Sequence, residues 1–130
     1  MSDKTNPKDL VASTKISITK FPLIALLHGA HAFMDGATKY GNMNWRSKDI
    51  KGSIYVDAAI RHLGCWFERE EIAEDSGVSH LGHALACIAL LIDAQEGGNL
   101  IDDRPPTGQN DFAAVAARLN ALVKSRQEKT

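Results

Sequence analysis

The chain holds only two cysteines, four prolines and 6% aromatic residues in 130 positions, and it has no long apolar run. Two cysteines are too few for a disulfide framework. Cys65 and Cys87 lie inside apolar helical patterns and not at the short spacing of zinc sites, which predicts reduced, packed thiols. No run approaches the roughly 18 residues of a membrane span, and the N-terminus lacks the apolar core of a signal peptide, so a soluble, cytoplasmic protein is expected. With 15 basic against 16 acidic residues the net charge is -1. Such a balance supplies no whole-molecule field to hold nucleic acid or an anionic membrane, and any phosphate binding must be local.

What is present is helical periodicity. A hydrophobic content of 44% is enough for one core, and residues 1–130 read as a single domain. The stretch from Met1 to about Lys15 is polar and lysine-rich, and is expected to be a mobile arm or capping strap. From Phe21 to Tyr40, Leu23, Leu26, Leu27, Ala30, Phe33, Met34 and Ala37 recur at helical spacing. A second helix is expected from a cap at Ser53 to about Glu71, and a third from a cap at Ser79, spanning His80 to about Gln95. The third is apolar almost all round between Leu81 and Ile92, which predicts burial by neighbours or by another subunit. After Pro105-Pro106, Asp111 caps a last helix carrying Phe112, Val115, Leu119, Leu122 and Val123 on one stripe. No strand-like alternation competes. The expected fold is an all-α bundle of about four helices.

Chemistry-bearing side chains crowd between Asp57 and His83: Asp57, His62, Glu68, Glu70, Glu71, Glu74, Asp75, His80 and His83. Acidic runs at helix ends are usually solvated faces, and Asp57 has Arg61 one turn away as an intrahelical partner. His80 and His83 are more telling. An i, i+3 pair of imidazoles opening an apolar helix needs hydrogen-bonded compensation, or a metal or phosphate role. His62 and Glu70, on one continuous helix, would lie about 12 Å apart along the axis, too far to chelate one ion unless the helix bends first. A cradle of carboxylates suits Mg²⁺ or Mn²⁺, and direct ligation by His80 and His83 favours Mn²⁺. In the loop after Tyr40, Trp45 or Tyr40 is placed to stack on a base, Lys39 and Arg46 to reach phosphates, and Asn44 to bond a base edge; alternatively the aromatics only anchor the loop.

Read in order, Asp35-Gly36-Ala37, Lys39-Tyr40-Gly41, Asn44-Trp45-Arg46, Arg61-His62, Glu70, Asp75-Ser76-Gly77, His80-Leu81 and His83-Ala84 form a string that resembles the dATP/dGTP diphosphohydrolase family. That family is found largely in phages and resembles a divergent branch of the all-α MazG/HisE-type pyrophosphohydrolases. The resemblance covers about Leu23 to Ala94. It implies metal-dependent cleavage of a purine nucleoside triphosphate, dGTP first and GTP or dATP next, to the monophosphate and pyrophosphate. By the same resemblance Glu70, Asp75 and His62 lead as catalytic metal-site residues. His80 and His83 follow as ligands or phosphate donors, and Asp57 is the weakest metal candidate. Lys39, Asn44, Trp45 and Arg46 are implied nucleotide contacts. The resemblance also implies a homodimer or homotetramer, and a host-cytoplasm location if the gene is a phage's. The paired ExxE and ExxD motifs of ordinary MazG enzymes are not cleanly present, and His80-Leu81-Gly82-His83 stands where the second would fall.

Two other readings compete. A histidine–aspartate triphosphohydrolase, releasing nucleoside and triphosphate, needs an adjacent His-Asp pair, whereas His31 precedes Asp35 by four residues. A non-catalytic helical module holding zinc or a nucleotide is the third, since His80, His83 and Cys87 share a helix face.

Overall fold

The computed structural model describes residues 4–109 and 111–129. Among them run six α-helices, one 3-10 turn (Ile18–Lys20) and one pair of very short strands: α1 (Pro7–Ala12), α2 (Leu23–Tyr40), α3 (Asn44–Ser47), β1 (Ile50–Lys51), α4 (Gly52–Phe67), α5 (His80–Gly97), β2 (Leu100–Ile101) and α6 (Phe112–Glu128). The fold is an all-α bundle. The expected arm contains the single turn-and-a-half of α1, capped by the Asn6 side chain on the Lys8 amide. The expected caps hold at Ser79, which accepts from the Gly82 amide, and at Asp111, which accepts from Ala113 and Ala114.

The second long helix starts and ends earlier than its pattern suggests, for local reasons at each end. Its first turn is capped by a distant side chain: Asp103 accepts from the Ser53 amide at 2.8 Å and from the Ser53 hydroxyl. At its far end Arg69 takes a left-handed φ of 78°. There the Arg69 amide bonds the Trp66 carbonyl at 3.0 Å and the Glu70 amide bonds the Cys65 carbonyl at 2.9 Å, the paired closure of a Schellman turn. The turn leaves Glu68 to Glu71 outside the helix.

α5 is the central element, packed on both α2 and α4. It crosses α2 closely because Gly82 has no side chain: a Cβ there would sit 2.6 Å from the His28 carbonyl oxygen. The strands β1 and β2 pair in parallel, Ile50 opposite Leu100, and tie the α3–α4 connection to the exit of α5. Two residues each are too short to leave an alternating pattern in the sequence. The hairpin after α4 closes through an Ile72–Ser79 bridge and Gly77 at φ 72°, with Val78 buried beneath it.

The single chain leaves much apolar surface in water. Its accessible area is 10955 Å², against about 6,700 Å² for a compact monomer of this mass. Leu26, Leu27, Ile60, Ile88 and Ile92 are exposed on the three packed helices, and no described residue of α6 is buried. No helix among the described residues is long and apolar enough to cross a membrane.

Candidate active site

Where α2, α4 and α5 meet, small side chains leave room: Ala32, Ala58 and Ala86 line a cavity of about 400 Å³. Its rim carries the groups with chemistry. Lys39, Tyr40, Asn44 and Trp45 come from the end of α2 and from α3, His62 from α4, Asp75 from the hairpin and His83 from α5. Asp35 also lines it. The cavity thus collects Lys39, Asn44, Trp45, His62, Asp75 and His83 from the residues expected at the site, but Arg46, Asp57, Glu70 and His80 are not on its wall.

Lys39 stands between two carboxylates, 3.0 Å from Asp35 and 3.6 Å from Asp75. The hydrogen bond to Asp35 holds the ammonium pKa up, and the ammonium in turn holds the Asp75 carboxyl below its usual range. Across the cavity the His62 and His83 rings stack, with centroids 4.6 Å apart and planes at 16°. The His83 Nε2 lies 2.8 Å from the Ser76 hydroxyl. Burial lowers both imidazole pKa values, with the neighbouring rings adding to the effect on His62, so both rings are neutral at pH 7.

A second cluster backs the first. The His62 Nδ1 is 2.9 Å from the His80 Nδ1, and the His80 Nε2 is 3.0 Å from a Glu70 carboxylate oxygen. His80 is 5% exposed, the one buried polar side chain among the described residues. The bend at Arg69 removes the 12 Å separation expected of a continuous helix and brings Glu70 back to the chain of imidazoles. Cys65, expected from the sequence only as a packed thiol, comes within 4.8 Å of the Glu70 carboxylate there; desolvation first and the neighbouring Glu70 second push its thiol pKa up.

The aromatic wall is held from outside the cavity. Asp93 accepts from the Trp45 indole at 3.0 Å and from the Arg46 guanidinium at 2.6 and 2.7 Å. Asn99 donates to the Trp45 and Lys48 carbonyls at 2.6 and 2.9 Å. Phe33 packs against the Trp45 ring at 4.7 Å between centroids. Arg46 therefore serves Trp45 in this structure, while Asp57 lies beside a second cavity on the other side of α4, with Ser53 and Asp103.

Asp35, Asp93 and Asn99 were missed by sequence reasoning as site or support residues. Asp35 had a local signal, since it sits one helical turn before Lys39. Asp93 and Asn99 had none, their partners being more than 45 residues away.

The helical cavity thus joins a lysine paired with two carboxylates, two stacked imidazoles and an aromatic wall, polar groups converging on an apolar hollow as in small-molecule pockets. The family described as dATP/dGTP diphosphohydrolase, N-terminal, matches residues 5–104, and the chain belongs to it. Its family is thus one of hydrolases. No curated protein and no solved structure is significantly similar to the chain.

Proposed function

We propose that the protein hydrolyses a purine nucleoside triphosphate, with dGTP the first candidate and GTP or dATP next, to the monophosphate and pyrophosphate. The observation that carries the reading is Lys39 held between Asp35 and Asp75 at the mouth of a cavity that also holds Trp45 and two neutral imidazoles. Family membership supplies the nucleotide and the hydrolytic class.

The donor set fits a hard divalent ion. Two carboxylates, Asp35 and Asp75, already gather one positive charge, the Lys39 ammonium, and would hold Mg²⁺ or Mn²⁺ in its company. When bound, such an ion neutralises phosphate oxygens and acidifies water. The chain's own groups do the rest. Lys39 takes the charge of the phosphate chain, and Trp45 with Tyr40 offers ring faces for the base. His62, neutral at pH 7, accepts a proton as water attacks the α-phosphorus and the α–β bridging oxygen leaves with pyrophosphate. Glu70 acts through His80 to orient His62.

We read the protein as a homo-oligomer as well, because apolar side chains such as Leu26, Leu27, Ile60, Ile92, Leu119 and Leu122 stay exposed among the described residues.

The test is to incubate the folded protein with each common NTP and dNTP, with Mg²⁺ or Mn²⁺, and to resolve the products. Monophosphate plus pyrophosphate from a purine nucleotide is expected, and Asp75→Asn or Lys39→Met should lower kcat by about 10²–10³-fold. Release of nucleoside and triphosphate would replace this reading with a triphosphohydrolase. No turnover of any nucleotide by folded protein would leave a binding module.

A further inference from the structure

We propose that Cys65, Glu70 and His80 form a second, softer metal site that takes a zinc-class transition ion and ties the end of α4 to the start of α5. One donor atom from each residue, a thiol sulfur, a carboxylate oxygen and a ring nitrogen, lies within 4.8 Å of the other two. A tetrahedral zinc with bond lengths of 2.0–2.3 Å sets its ligands roughly 3.3–3.6 Å apart. The three groups therefore need side-chain adjustments of about an ångström to close on an ion.

Two local devices assemble them. The Schellman turn at Arg69 juxtaposes Cys65 and Glu70, since the Glu70 amide bonds the Cys65 carbonyl. Those two positions usually meet through an apolar contact. Here the pair is a thiol and a carboxylate, and it is held by a turn whose left-handed residue is an arginine where glycine would be easier. The Ile72–Ser79 bridge then returns the chain and places buried His80 opposite. The His80 amide bonds the Glu71 carbonyl at 2.9 Å, which fixes the register.

The ring of His80 is already oriented as a metal-binding imidazole is. One nitrogen, Nδ1, is engaged by His62 at 2.9 Å, leaving Nε2 to face Glu70 at 3.0 Å. Without an ion Nε2 donates to the Glu70 carboxylate; binding an ion at Nε2 shifts the His80 proton to Nδ1, where His62 accepts it and becomes the outer partner that fixes the tautomer. Donor softness sets the choice of ion. A thiolate with an imidazole and one carboxylate selects Zn²⁺ over Mg²⁺ or Ca²⁺, which prefer all-oxygen sets. The site differs in donor type from the pair Asp35 and Asp75; it shares Glu70 and His80 with the chain that orients His62, and its metal binding is read without turnover. Three protein ligands leave a fourth position, on the half-exposed Glu70 side, for water.

The experiment uses the full chain, stripped with chelator and titrated with Co²⁺ as a spectroscopic stand-in for Zn²⁺. One equivalent should produce a thiolate-to-cobalt charge-transfer band in the near ultraviolet, displaced by Zn²⁺ and unaffected by excess Mg²⁺. Cys65→Ser should abolish the band, Cys87→Ser should keep it, and His62→Asn should weaken Zn²⁺ binding by about 10–100-fold. In the Cys87→Ser chain, which leaves the site untouched, Zn²⁺ should also block alkylation of Cys65 until chelator is added. No thiolate band from the folded wild-type protein, a band surviving Cys65→Ser, or unchanged alkylation under saturating Zn²⁺ overturns the site. None of these readouts involves turnover, so an inactive protein that binds cobalt through Cys65 would refute the hydrolase reading and leave this one standing.

Discussion

His62 and His83 lie face to face across the bundle, one on α4 and one on α5, with ring centroids 4.6 Å apart. Burial disfavours a charge on either ring. His62 is faced by His83, His80, Arg61 and Asp75, and His83 by Asp35, Lys39, Asp75 and His80. Burial is the leading cause of both lowered pKa values. An unfolded chain thus binds protons on these histidines more readily than the folded one, and stability must rise with pH wherever that difference exists.

The expected outcome is a fall in the urea midpoint of chelator-treated protein as pH drops from the ordinary histidine value near 6.5 toward the lower folded values. Above that value the contribution is fully present and the midpoint should be flat with respect to these two groups. His83→Gln should shrink the slope. A midpoint that is constant or rises on acidification over this range would show that the rings are not held neutral by the fold.

Asp93 serves two donors at once, the Trp45 indole and the Arg46 guanidinium. Replacing it by alanine frees the ring that walls the cavity without touching the cavity itself. In a Trp66→Phe background, where Trp45 is the remaining indole, Asp93→Ala should red-shift the emission as the ring meets water. If Trp45 positions the base, kcat/KM should fall by about 10–100-fold, and Arg46→Ala should give part of that loss. An unshifted emission spectrum would mean that Phe33 alone holds the ring.

The long helices were legible because their determinants are local. Ser79 and Asp111 cap in sequence as they do in space, and Gly77 breaks where a left-handed turn is needed. The Arg69 turn was not legible, since an arginine gives no sign of a positive φ. That one residue decides where α4 stops and so where Glu70 points. The same limit applies to the site. His80 and His83 announced a polar opening to α5, but their partners Glu70, His62 and Ser76 are reached through the Arg69 turn and the hairpin. Cys65 read as a packed thiol, and its nearness to two other donors belongs to tertiary structure.

The crossing of α2 and α5 hinges on Gly82. A methyl group there would approach the His28 carbonyl oxygen to 2.6 Å, a distance that backbone must yield to. Gly82→Ala should cost about 1–3 kcal/mol and lower Tm by several degrees. Gly64, on α4, has nothing within 4 Å of its missing Cβ. Gly64→Ala should therefore gain up to about 1 kcal/mol, the helix-propensity difference. Calorimetry of the two variants gives opposite signs if the crossing is as close as it stands, and equal signs if α5 can slide off α2.

A single chain exposes far more surface than its mass requires. An area of 10955 Å² exceeds the compact-monomer value by about 4,200 Å². Part of the excess belongs to α1 and α6, which lie off the bundle, and part to apolar side chains such as Ile60, Ile88 and Ile92. A standard interface removes about 800 Å² per partner, so the excess is large enough for more than one. α6 presents Phe112, Val115, Leu119, Leu122 and Val123 to water, a stripe with no use in an isolated chain. Light scattering should give a mass at least twice the 14.1 kDa protomer at micromolar concentration. Leu119→Glu with Leu122→Glu should lower that mass, because each glutamate would have to be desolvated in the assembly. A wild-type chain that stays at protomer mass while keeping a cooperative thermal transition would mean that these apolar faces are tolerated in water, and the homo-oligomer reading would fall with it.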